Sequence, residues 1–128
     1  MSYYFSKIFE GSFEDAVERV TALLKDEGFG VLTEIDLKET LKKKIGVDLP
    51  KYTILGACNP NFAYKALQSE DKIGLMLPCN VVVQEKEGGK IEVSAIDPVA
   101  SMQAVQNEAL GAVATEVREK LKGVIMGL

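Results

Sequence analysis

Residues 52–67 read Tyr52-Thr53-Ile54-Leu55-Gly56-Ala57-Cys58-Asn59-Pro60-Asn61-Phe62-Ala63-Tyr64-Lys65-Ala66-Leu67. Tyr52 to Ala57 is rich in apolar, aromatic and β-branched side chains and reads as a strand. Phe62, Ala63, Ala66 and Leu67 then recur at helical spacing, opened by Asn59 as a cap and Pro60 as a first-turn residue. A strand that passes straight into a helix leaves only Cys58-Asn59-Pro60 for the change of period. Such alternation, met again on both sides, decides the fold class.

Upstream, Tyr3 to Phe9 reads as a first strand, broken at Gly11-Ser12. Ser12 with Asp15 resembles a capping box, and Phe13, Ala16, Val17, Val20, Leu23 and Leu24 keep to one helical face. Gly28 or Gly30 supplies a stop. Val31 to Ile35 is a second strand. Asp36 and Glu39 open a short helix with Leu37, Leu41 and Ile45, whose Lys42-Lys43-Lys44 forms a solvated face. Gly46 to Lys51 is a loop.

Downstream, a fourth strand is expected from Ile73 through Leu75, Leu77, Val81 and Val83. Pro78 within it demands a bulge, an edge position or a break. Gly88-Gly89 turns the chain into a returning strand with Ile91, Val93 and Ala95 alternating. Asp97-Pro98 pairs another cap with a first-turn proline, and the last helix starts at Asn107 with a stripe of Leu110, Val113, Val117, Leu121, Val124 and Leu128. No linker or repeat divides the chain, so residues 1–128 read as one domain. The element order predicts an α+β fold, about five strands in a mainly antiparallel sheet with two long amphipathic helices on one face. Tyr4, Leu32, Tyr52, Ile54, Leu75 and Leu77 are left for the other face, where a subunit interface would cover them.

Composition excludes several functions. With 15 basic and 19 acidic residues the net charge is −4, which argues against a grip on nucleic acid or anionic lipid. The absence of histidine removes Ser-His-Asp and Cys-His hydrolytic machinery, His-ligated zinc and an imidazole shuttle. Met1 to Lys7 carries no signal-peptide pattern, and the uncharged run Ile73 to Gln84 is far short of the ~20 residues of a membrane span. A cytoplasmic protein with two reduced thiols, Cys58 and Cys79, is expected.

Those thiols are the leading candidates for chemistry. Cys58 stands just before a helix start, where the dipole and free N–H groups lower a thiol pKa. Cys79 follows a strand-breaking proline. The two could converge as a redox couple or as soft ligands for a thiophilic metal, or be small buried hydrophobes. Two thiolates without histidine do not complete a zinc site, so no metal ligands are assigned. Asp36 and Asp97 end strands as acid–base residues often do, and equally cap helices. Asn59 reads as a cap, whereas Asn80 has no such structural role. Met76, Met102 and Met126 form no spaced motif and read as core filling. Gly28-Phe29-Gly30 does not match a phosphate loop.

Four segments together resemble the family catalogued as domain of unknown function 302: Gly28-Phe29-Gly30-Val31-Leu32-Thr33-Glu34-Ile35-Asp36, Tyr52-Thr53-Ile54-Leu55-Gly56-Ala57-Cys58-Asn59-Pro60, Leu77-Pro78-Cys79-Asn80-Val81 and Ile96-Asp97-Pro98. Ala-Cys-Asn-Pro followed by Leu-Pro-Cys-Asn at this distance is the specific part. The resemblance implies a TBP-like α+β fold with a curved antiparallel sheet, in small proteins that tend to be dimeric. It implies no reaction and no cofactor, and it adds weight to a shared role for the cysteines. The expected function is a homodimeric ligand-binding or interaction module with a pocket near Cys58, Asn59, Cys79, Asn80 and Asp97. Its alternative is a thiol-based redox or metal-handling protein.

Overall fold

The structure, a computed structural model, describes residues 2–128. In chain order it runs β1 (Tyr4–Phe9), α1 (Phe13–Asp26), β2 (Gly30–Asp36), α2 (Leu37–Ile45), β3 (Tyr52–Cys58), α3 (Pro60–Ser69), β4 (Cys79–Glu85), β5 (Ile91–Ile96), α4 (Pro98–Ser101) and α5 (Glu108–Met126). The strands form one sheet in the order β1-β5-β4-β3-β2, and every neighbouring pair is antiparallel.

Period-two alternation sends the apolar set of each central strand to one side. Leu55, Ala57, Val81, Val83, Ile91, Val93 and Ala95 are buried there beneath Ala16, Val20 and Leu24 of α1 and Val117, Leu121, Val124 and Ile125 of α5. Each fully buried Val, Leu or Ile contributes roughly 1.5–3 kcal/mol of transfer free energy. Lys7 also falls on this side; its Nζ donates to the carbonyls of Met126 at 3.1 Å and Leu128 at 2.6 Å, a cation at the negative end of α5.

The opposite side has no long helix over it. The register places Tyr4, Ser6, Ile8, Glu92, Ser94, Val82, Gln84, Tyr52, Ile54 and Ile35 on it. Tyr4, Ile8 and Ile35 are exposed large hydrophobics. Among these positions only Glu92 is charged.

Two expectations are corrected. The fourth strand begins at Cys79, not at Ile73, because Ile73–Met76 is a 3-10 turn and Pro78 has no N–H to give a ladder. Ile73 is buried with Ala66 and Leu110 in a second small core to which Met76, Leu77 and Met102 add, while Leu75 is 84% exposed. Leu75 and Leu77 therefore do not belong to the bare sheet face. Leu32 lies where the register of edge strand β2 shifts, between Val31 and Thr33, and is exposed.

Candidate functional site

The C-terminal ends of β3 and β5 and the N-terminal ends of β2 and β4 meet at one end of the sheet, as an antiparallel arrangement requires. There α3, α4 and the first half of α5 close over the strand ends. Between them lies a hollow of about 30 Å³, lined mainly by carbon and sulfur: Phe29, Ala57, Cys58, Asn59, Phe62, Ala66, Pro78, Cys79, Pro98, Met102 and Val117 are among its walls. That volume admits one or two water-sized bodies and no organic ligand of ordinary size.

Cys58 ends β3 opposite Gly30 and is half-buried; Cys79 opens β4 opposite Ala57 and is 8% exposed. Both are free thiols. Burial above all, and then the proximity of the Cys58 thiolate, push the Cys79 thiol up from its ordinary 9.0 to about 11. Cys79 thus stays protonated at neutral pH, the opposite of an activated nucleophile.

Asn59 occupies the cap position of α3, yet its side chain makes no cap hydrogen bond. Its Nδ2 instead donates to the Glu27 carbonyl at 3.4 Å, and a Cβ on Gly28 would stand 3.1 Å from that nitrogen. The first-turn N–H groups of α3 consequently have no side-chain acceptor. Asn59 and Phe62 also border an open depression of about 540 Å³ outside the hollow, with Glu27, Asn61, Lys65, Glu116 and Lys120 around it.

Two expected site residues do not join the others. Asn80 follows Cys79, so alternation turns it to the other face of the sheet, opposite Gly56 and beside Val82 and Gln84 in a shallow groove of about 360 Å³ that also holds Tyr3, Tyr4 and Tyr52. Asp97 is buried but engaged: its Oδ1 accepts from the Val99 amide at 3.0 Å, capping α4, and its Oδ2 accepts from Arg118 Nε at 3.1 Å. Only its neighbour Pro98 reaches the hollow. Conversely, Met102 and Phe62 line the hollow without any sequence signal to separate them from core residues.

Gly56 explains how β4 can start where it does. A Cβ there would stand 2.8 Å from Pro78 Cγ and would collide with the Thr33 hydroxyl. Pro78 can lie against the sheet, and set the path into Cys79, only because position 56 has no side chain.

Comparison with known proteins places this geometry. The family described as "Domain of unknown function DUF302" matches residues 5–128. The solved structure of an uncharacterized conserved protein DUF302 from Bacillus stearothermophilus superposes with a TM-score of 0.91 at 27% identity, covering 98% of both chains. "Fluoride-specific ion channel FluC 1" of Brucella suis is 31% identical over 87 residues, 68% of this chain and 34% of its own length. An uncharacterized protein of Aquifex aeolicus is 27% identical over 94 residues, 73% of this chain and 59% of its own. The chain thus spans about a third of the Brucella relative and under two thirds of the Aquifex one.

Proposed function

We propose that this chain, which belongs to the DUF302 family, is a homodimeric binding module of the cytoplasm, in which two copies join across the bare sheet face and the thiol-lined hollow takes a ligand of very few atoms. The observation that carries the binding site is the convergence of Cys58, Asn59 and Cys79 on one hollow from two separate strand ends. Their walls supply no charged residue and no nucleophile–base pair, which favours holding over turnover.

Self-association is supported by the character of the bare face. Five strands ~4.8 Å apart and about six residues long span roughly 500 Å² of flat sheet, and side-chain relief brings this toward the ~800 Å² per partner of a specific interface. A face whose Glu92 is balanced by Lys86 at 3.7 Å meets its own copy with little repulsion, in a chain where 27% of residues are charged. The acidic balance favours neither nucleic acid nor an anionic membrane as partner.

The Brucella relatives carry the name of a fluoride-specific ion channel. Among the described residues no helix is long and apolar enough to cross a membrane. What this chain shares with those longer proteins is therefore read as an accessory module rather than a pore. The hollow has no cation in its walls to hold a hard, strongly hydrated anion.

Native mass spectrometry with alkylation kinetics tests the proposal. A dimer mass, with Cys58 alkylated well before Cys79, is expected. A monomer at micromolar concentration overturns the dimer, and two thiols equally reactive or equally sealed overturn the site. Thiol redox chemistry is a second reading, favoured by the half-buried Cys58 within electrostatic reach of Cys79. It requires a peroxide to take two hydrogens from the pair, giving a disulfide and two waters per peroxide; an unchanged mass after peroxide treatment excludes it.

A further inference from the structure

Three sulfur-bearing residues from three separate parts of the chain line the hollow. Cys58 comes from the end of β3, Cys79 from the start of β4, and Met102 from the residue that ends α4. No histidine exists in the chain, and among the described residues no group of three or more His, Cys, Asp or Glu is gathered anywhere. We propose that Cys58, Cys79 and Met102 form a site for a soft monovalent cation, copper(I), held by two thiolates with the thioether as a third, weaker donor. The inference rests on the reading of the hollow as a ligand pocket and names its occupant.

Three physical features select this ion. Thiolate and thioether sulfur suit Cu(I), whereas zinc asks for four ligands from nitrogen, sulfur or carboxylate oxygen, which this hollow does not supply. At about 30 Å³ the space leaves no room for the several retained waters that magnesium or calcium demands. Apart from Asn59 the walls are hydrocarbon, from Phe62, Pro98 and Val117 among others, so a low-coordinate ion is kept from water.

Binding balances without redox change: Cu⁺ and two thiols give a bis-thiolate complex of charge −1 and two protons. The single negative charge that results has a counterpart nearby. Helix α3 begins at Pro60, directly after Cys58 and Asn59, and presents the positive end of its dipole with first-turn N–H groups that Asn59 does not cap. Cys58 is the more exposed of the two thiols, half-buried where Cys79 is buried, and is the point of entry.

The test is an anaerobic titration of the purified chain with Cu(I) in competition with a colorimetric Cu(I) chelator, followed by X-ray absorption of the complex. One copper per chain and a coordination shell of sulfur alone are expected, with zinc failing to bind stoichiometrically under the same conditions. Cys58→Ser should weaken Cu(I) binding at least about 100-fold, and Met102→Leu, which keeps the packing, about 10-fold. The absorption spectrum of the unmodified protein stands even where a variant does not fold. No stoichiometric copper, or a shell containing nitrogen or oxygen, overturns the assignment. If copper fails while native mass spectrometry shows another small species released on alkylating Cys58, the copper site falls and the pocket stands. If neither is held, both fall.

Discussion

Cys79 and Asn80 are adjacent in the chain and face opposite ways, and that single alternation separates the two halves of the expected site. Cys79 enters the hollow with a thiol pushed up to about 11. Since the folded state prefers the neutral thiol, its contribution is fully present below pH 9 and is lost as pH rises toward 11. Chemical denaturation of the metal-free protein at pH 8.5 and 11 should show a loss of about 2–3 kcal/mol assignable to this residue. The Cys79→Ala variant should lack that component of the slope. Gly56 supports the same region by absence: Gly56→Ala puts a carbon 2.8 Å from the Pro78 ring. Overpacking of this kind costs about 1–3 kcal/mol, and thermal unfolding should show it, together with faster alkylation of Cys79 as Pro78 shifts.

At the scale of elements, caps divide into those that hold a helix and those that only sit at its start. Ser12 Oγ accepts from the Asp15 amide at 3.0 Å, Asp36 from Glu39, and Asn107 from Ala109. Asn59 does not cap α3. Ser12→Ala should therefore cost about 1 kcal/mol, as loss of a working cap does, while Asn59→Ala should cost clearly less. A denaturant series on the two variants checks the order, and equal losses would show that Asn59 caps in solution. The strand–helix junction at 58–60 was legible from its residue types, as were α1, α5 and the β4–β5 hairpin. The 3-10 turn at 73–76 was not, because Ile73, Leu75 and Leu77 alternate like a strand. Only the second core under α3 and α5 gives Ile73 a better place than the sheet.

For the whole molecule, one sheet face is covered and one is bare, and the dimer proposed above is the association that would bury the bare one. Val82 lies on the bare face opposite Ile54 and Ser94. Val82→Lys should leave the monomer folded, because the side chain points away from the helices. In a dimer joined at this face it sets like charges against each other, and sedimentation velocity should shift from two chains to one. A dimer untouched by this change would place the interface elsewhere.

By itself the sequence determined the class of fold, most element positions, the family and the absence of imidazole chemistry. Those are properties of local period, capping chemistry and composition, which a chain carries without folding. Tertiary structure alone decided which candidates meet. Strand pairing sets Cys79 beside the segment carrying Cys58, the pleat sends Asn80 to the far side, Arg118 engages Asp97 from α5, and Met102 joins the lining of the hollow from a separation no spacing rule encodes. Side-chain direction at a strand end depends on register and on what packs above it, and neither exists until the sheet is assembled.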